Sequence, residues 1–361
     1  MRFELTDDQQ QIKRTARELL ADRYPPGEIR RLAESERGFT DEQWSELAEL
    51  GWAGLALAEE AGGQGLGLVE LASIAEEIGY AAAPTPLLAH TAAALAAEAF
   101  GAGPDVVGPL ASGERRAALV APDPSGRSGP GVTITPSGDG DGALVSGSQF
   151  PVEAAASAEL LVVVARDRVA LIDTAADGVT VERVATIDAT RKQAHVLLED
   201  VPVAADALLR ADARAWPGVR DRLLVVLAAG LVGTCQRAME RAVSYAGERH
   251  QFGKPIGIHQ GVSHRCAQML LETEGARSLT YYAAWAAEAE PETLPSAAAM
   301  AKAYASDAGP RVCESSLQVH GGIGFTWEDD LQFWLKRARA DAAAMGGASA
   351  HRARLAELAR I

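Results

Sequence analysis

Twice along this chain the spacing of apolar residues changes, and each change rules out a fold made of one kind of element. Up to about Ala111 apolar side chains recur at helical spacing, as in Ile12, Ala16, Leu19 and Leu20. Thr6 ahead of Asp7-Asp8 supplies the capping signal for that first helix. Asp41 to Leu50, with Trp44, Leu47 and Ala48 on one face, reads as another helix; a Gly-rich break from Gly62 to Gly67 follows, and Leu68 to Ile78 resumes the period. From Gly113 to about Val203 the spacing shortens to two, and Val, Ile and Thr alternate with polar residues between turns rich in Gly, Pro, Ser and Asp. Val132–Thr135, Ala143–Ser146, Leu160–Ala165, Val169–Ile172, Val179–Val184 and His195–Leu198 are the expected strands, and Gly138–Gly142 an expected turn. From about Arg210 the helical period returns, and Leu223–Glu248, His259–Ala289, Ser296–His320 and Asp329–Ala344 suffice for a four-helix bundle. The expected architecture is an N-terminal all-α domain (1–112), a small antiparallel middle β domain (113–208) and a C-terminal four-helix bundle (209–361).

Composition narrows the function. A chain of 361 residues, 48% hydrophobic, can bury a large core. Its formal net charge of -15, without a long basic run, repels a phosphate backbone and argues against nucleic acid. The first residues lack the basic start and apolar stretch of a signal peptide, and no later segment reads as long and charge-free enough for a membrane, so the expected location is the cytoplasm. Cys235, Cys266 and Cys313 lie far apart without metal-ligand or redox-pair spacing and are expected to be reduced core thiols; no metal site is expected.

Four stretches, in order, carry a resemblance to a known family. Glu59-Glu60-Ala61-Gly62-Gly63-Gln64-Gly65 lies in the first part, and Leu198-Glu199-Asp200-Val201-Pro202-Val203 closes the second. In the third, Arg249-His250-Gln251-Phe252-Gly253 with Gln260 resembles an Arg-x-x-Phe-Gly signature followed by Gln, and Gln318-Val319-His320-Gly321-Gly322-Ile323-Gly324 resembles a Gln-x-x-Gly-Gly-x-Gly segment. Together they resemble the acyl-CoA dehydrogenases over nearly the whole chain. The residues suit that family's FAD on their own chemistry. The Arg249 guanidinium offers paired donors to a pyrophosphate, and Phe252 an apolar face. Gln260 and Gln318 supply amides, and Gly321-Gly322 bare backbone. In the family these residues reach the adenosine diphosphate part of a neighbouring subunit's FAD.

The residues that the resemblance assigns to the chain's own flavin and chemistry differ. Val120–Arg127 replaces a Thr-Glu-x-x-x-Gly-Ser-Asp stretch, and Phe150-Pro151-Val152-Glu153 replaces a Trp-Ile-Thr stretch, with Pro151 removing an N–H and Glu153 adding negative charge. The catalytic glutamate's position holds Met345, whose thioether cannot take a proton near neutral pH, and the family's alternative base site holds Leu223 and Leu224. Asp341, one turn before Met345, and Asp221 are rival bases, each more simply a solvated helix residue. The resemblance therefore implies a non-catalytic chain in an α2β2 heterotetramer. It lends FAD contacts to a homologous catalytic subunit, with the acyl-CoA mainly on that partner and electron-transferring flavoprotein as acceptor; sterol side-chain breakdown uses such arrangements. Two alternatives stay open: a self-sufficient dehydrogenase with an unusual base, and a flavin-free binding or scaffold protein.

Overall fold

A computed structural model describes residues 4–122, 131–137, 142–212 and 214–360. The Asp123–Arg127 part of the altered flavin stretch and most of the Gly138–Gly142 turn lie outside the described residues. Six helices come first: α1 (Asp7–Arg23), α2 (Pro26–Glu34), α3 (Asp41–Glu49), α4 (Leu68–Ala81), α5 (Leu87–Ala99) and α6 (Pro104–Ala111). Thr6 and Thr40 close full capping boxes on α1 and α3, each accepting from the backbone N–H three residues on. Eight strands follow: β1 (Ala117–Val120), β2 (Gly131–Pro136), β3 (Ala143–Glu153), β4 (Leu160–Ala165), β5 (Arg168–Asp173), β6 (Val179–Val184), β7 (Gln193–Val203) and β8 (Leu208–Arg210). The last part contains α7 (Ala215–Glu248), the short strands β9 (His250–Gln251) and β10 (Lys254–Pro255), α8 (Gln260–Ala289), α9 (Leu294–His320), α10 (Leu331–Ala343) and α11 (Ala348–Ala359).

All six expected strands are present, but the sheet differs from expectation. There are two four-stranded sheets, ordered β1-β4-β5-β8 and β2-β3-β7-β6, and β1 runs parallel to β4. The parallel strand was illegible because Ala117-Ala118-Leu119-Val120 is apolar throughout, a pattern that a buried helix segment shares. The four expected C-terminal helices are joined by a fifth, α11, which is short and weakly patterned.

The chain divides into two compact units, one of Met1–Arg30, Leu68–Ala83 and Leu224–Ile361, the other of Arg31–Gly67 and Pro84–Leu223. In the first, α4 belongs with the long C-terminal helices. The reason is a crossing too close for side chains: a Cβ on Gly79 would lie 2.0 Å from the Gly230 carbonyl oxygen, and one on Gly233 1.8 Å from that of Glu76. α1 covers the same unit with few apolar groups; Ala16 and Leu20 are buried, while Lys13 and Arg17 pair with the buried carboxylates of Glu76 and Glu77. The Arg17 guanidinium also stacks 3.3 Å above the Tyr80 ring.

In the second unit Val145, Val152, Leu161, Val163, Ile172, Val196 and Leu198 form an apolar core between the sheets. His90 is buried beside Trp44, with Nε2 2.9 Å from the Leu110 carbonyl oxygen and Nδ1 3.2 Å from the Ala117 N–H. That pattern needs the neutral ring donating from Nε2, and burial lowers the imidazole to about 4. The folded state resists a proton that the unfolded chain takes up near pH 6.5, so stability is complete above that value. It is expected to fall between pH 6.5 and 4, by up to about 1.4 kcal/mol per pH unit. His90→Gln should flatten the thermal-midpoint profile over this window; an unchanged profile would rule the ring out as its cause.

One expectation needs correction. α7 does contain a stretch long and apolar enough to cross a membrane, but 78% of that window is buried inside the protein. Its apolarity serves the helical core, which a spacing argument alone cannot distinguish from a lipid-facing segment. Cys235 and Cys313 are buried and Cys266 partly so, all free; burial pushes the Cys235 thiol up to about 12, leaving it inert.

Candidate functional site

At the end of α7 the Arg249 N–H closes the helix on the Tyr245 carbonyl at 2.8 Å, and the chain turns into the β9–β10 ribbon. Phe252 and Gly253 form its two-residue turn, both at positive φ, 55° and 77°. Such turns favour Asn-Gly; a phenylalanine in the left-handed region costs free energy. Phe252 is 94% exposed, and the ring it meets among the described residues is the edge of His259. Arg249, Lys254 and, on α8, Arg265 are exposed, and none of the three makes an ion pair among the described residues. Their neighbours behave differently: Arg241 pairs with Asp329 and Arg277 with Glu76. Gln260 opens α8 and is exposed.

The end of α9 lies against the same end of α7. The His320 ring stacks on Tyr245 at 4.6 Å, and the Ser316 hydroxyl donates to the Ala238 carbonyl at 2.7 Å. Gln318 points outward. Gly321, at φ 65° and ψ −139°, occupies backbone space open essentially to glycine alone. Gly322 has no such requirement, and a Cβ there would meet nothing within 4 Å. The packing of this chain gives no reason for its missing side chain. Arg249, Phe252, Gln260, Gln318, Gly321 and Gly322 thus share one unit and gather near one end of α7. An unpaired guanidinium, an outward aromatic ring, two exposed amides and bare backbone suit a dinucleotide's phosphates and flat rings. No cluster of His, Cys, Asp or Glu that could hold a metal occurs among the described residues.

The turn at Met345 is firmly built although its side chain is inert. Met345 has φ 54°, and its carbonyl lies 3.1 Å from His351 Nε2. Lys302, fully buried, donates to Ser306 Oγ at 2.9 Å and to the carbonyls of Ala342 and Gly346 at 3.2 and 3.0 Å. Burial and the Lys302 charge lower His351 to about 4. Asp341, expected to be solvated, is buried; one carboxylate oxygen lies 3.9 Å from where a Cβ on Gly230 would sit, so it faces α7. Asp221 is also buried, beside Arg220 at 3.3 Å, and Leu223 and Leu224 are core residues.

In the β unit the charge expected at Glu153 is paired within the chain. Both Glu153 oxygens accept from the Arg191 guanidinium in a bidentate pair. The pair is largely buried, and Pro151 lies in a bulge of β3 between Gln149 and Val152. Glu153→Ala is expected to lower stability by about 2 kcal/mol, because the buried Arg191 charge loses its bidentate carboxylate. Double replacement of Glu153 and Arg191 by Gln and Leu should recover part of that loss in thermal melts; no recovery would mean that the pair carries little. Arg191 and Lys302 escaped the sequence reading. The one available signal was a lysine at a helical spacing otherwise filled by Ala298, Ala301 and Ala305.

Comparison with known proteins gives the family of the chain. Residues 6–103 match the family described as acyl-CoA dehydrogenase, N-terminal domain, and residues 222–359 match acyl-CoA dehydrogenase, C-terminal domain. The chain is 32% identical to the acyl-CoA dehydrogenase IpdE2 of Mycobacterium tuberculosis over 93% of this chain and 92% of that protein. Among solved structures it resembles a Tcur3481-Tcur3483 steroid ACAD variant at 31% identity, covering 98% of each chain with a TM-score of 0.89. It also resembles the ChsE4-ChsE5 complex from Mycobacterium tuberculosis at 26% identity, covering 100% of each chain with a TM-score of 0.90.

Proposed function

Because this chain belongs to the acyl-CoA dehydrogenase family, we propose that it is the non-catalytic subunit of a heteromeric, FAD-dependent enzyme that introduces a Cα–Cβ double bond into an acyl-CoA. The observation that carries this reading is a contrast within one molecule. The surface suited to a neighbour's dinucleotide has an Arg249 with no ion pair among the described residues, an outward Phe252, and a Gly322 where a Cβ would meet nothing within 4 Å. The positions that would serve the chain's own reaction hold a thioether at Met345 and a closed ion pair at Glu153–Arg191.

In this arrangement Arg249 holds the pyrophosphate, Phe252 packs on an apolar part of the cofactor, and Gln260 and Gln318 meet its polar edges. Gly321 and Gly322 let backbone N–H groups approach phosphate oxygens. FAD bound here would supply the acceptor for the hydride from the substrate's Cβ. The proton at Cα goes to the partner's base, since Met345 cannot accept it and Asp341 is turned toward α7. A steroid-derived acyl-CoA is the proposed substrate class, supported by the relative described as a steroid ACAD, and the relative solved as a ChsE4-ChsE5 complex supports the heteromer. Electron-transferring flavoprotein is the proposed acceptor.

The purified chain alone should be colourless and should fail to reduce a dye acceptor with any acyl-CoA. Met345→Glu should restore neither flavin nor turnover, because the β unit still lacks the flavin contacts. Turnover by the unmodified chain alone would sink the non-catalytic assignment.

A further inference from the structure

Resting on the half-site reading above, we propose that Tyr245 and His320 are positioning residues whose stacked rings fix the separation of Arg249 from Gly321-Gly322, so that both serve one dinucleotide. The two pieces of the site stand on different helices, far apart in sequence. A guanidinium and backbone N–H groups that share one pyrophosphate must be held to within about 0.5 Å of their working separation by the side chains behind them.

α7 and α9 run in the same direction and in register. A Cβ on Gly309 would lie 2.7 Å from Leu231 Cδ2, and about two turns further along both helices the Ser316 hydroxyl donates to the Ala238 carbonyl at 2.7 Å. About two turns beyond Ala238, Tyr245 stacks on His320, with ring centroids 4.6 Å apart and planes 24° from parallel. Past this contact both helices end. Arg249 follows Tyr245 by about one turn, its N–H closing on the Tyr245 carbonyl at 2.8 Å, and Gly321 follows His320 directly. The stack therefore sits at the point from which both pieces of the site leave.

The His320 ring has little freedom of its own. It is buried, and its Nδ1 lies 2.8 Å from the Ser316 carbonyl oxygen; a carbonyl only accepts, so Nδ1 carries the proton and the ring plane is set. The turn after it folds back close, since a Cβ on Gly324 would lie 3.0 Å from the His320 Cβ. Two flat rings with few rotatable bonds make a stiffer and better oriented spacer than aliphatic side chains of similar bulk.

The test measures the FAD affinity of the complex formed with a homologue that has glutamate at the base position, and combines Tyr245→Leu with Arg249→Leu in a double-variant cycle. Tyr245→Leu and His320→Leu, which keep apolar bulk and lose the stack, should each weaken FAD binding about 5- to 10-fold. Tyr245→Phe, which keeps the ring, should hold the native affinity. In the Arg249→Leu background, Tyr245→Leu should cost less than about 2-fold more, because the spacing no longer serves a guanidinium. An equal loss in both backgrounds overturns the proposal, since a general weakening of the helix pair acts whether or not Arg249 is present. So does native affinity in both leucine variants, or a loss that Tyr245→Phe shares. If one leucine variant fails to fold, the other carries the cycle. If Arg249→Leu alone leaves the flavin bound, the half-site reading fails and the positioning role with it; flavin lost in Arg249→Leu but kept in both leucine variants overturns the positioning role alone.

Discussion

Arg249→Leu, introduced into the assembled complex, is expected to lower its affinity for FAD about 10- to 100-fold, measured as flavin released on dilution or gel filtration. A charge-assisted hydrogen bond contributes roughly 1.5–3 kcal/mol, and every 1.4 kcal/mol is tenfold in affinity. The effect should be large because the guanidinium is exposed and makes no ion pair among the described residues. Its neighbours in α7 are already committed, Arg241 to Asp329 and Arg237 to the Tyr80 hydroxyl, so none can replace it. Arg339→Leu is the control, removing an exposed pair with Glu314 elsewhere on the surface. If both variants retain flavin equally, Arg249 is not the phosphate contact.

Gly233→Ala is expected to destabilise the protein by about 3 kcal/mol, near the upper end of what overpacking costs. The added methyl would lie 1.8 Å from the Glu76 carbonyl oxygen and 2.6 Å from the Tyr80 backbone nitrogen, so α4 and α7 must move apart. The damage would spread, because the same stretch of α4 presents Glu76 to Lys13, Arg277 and Tyr281 and Glu77 to Arg17. Gly218→Ala, on the same helix, should instead stabilise by about 0.5–1 kcal/mol, since a Cβ there meets nothing and alanine favours the helix. Thermal melts of the two variants should move in opposite directions. A shared direction would mean that the α4–α7 crossing yields more easily than its spacing implies.

The N-terminal caps and the long C-terminal helices were legible because they depend on local chemistry and on period: Thr6 and Thr40 signal their helices unaided, and the buried alanine-rich stripe of α9 persists over many turns. The assignment of α4 to the C-terminal unit was not legible. It rests on Gly79 meeting Gly230 and Gly233 meeting Glu76, contacts between residues about 150 positions apart that no window of sequence contains. At the candidate site, residue types gave the chemistry of Arg249, Phe252 and Gln318, but not their exposure or the gathering of two distant motifs through the Tyr245–His320 stack. Asp341 and Glu153 show the opposite limit. Each looked like a charge facing solvent or cofactor, and each has its surroundings decided by a distant element, α7 for Asp341 and Arg191 for Glu153.

The measurement closest to the centre of this proposal is the flavin content of the complex formed by co-expression with a homologous chain that has glutamate at the base position. One FAD for each pair of unlike chains, with the isolated chain colourless, is the expected result. One FAD for every chain, or full flavin in a preparation of this chain alone, would contradict a cofactor half-site held for the partner.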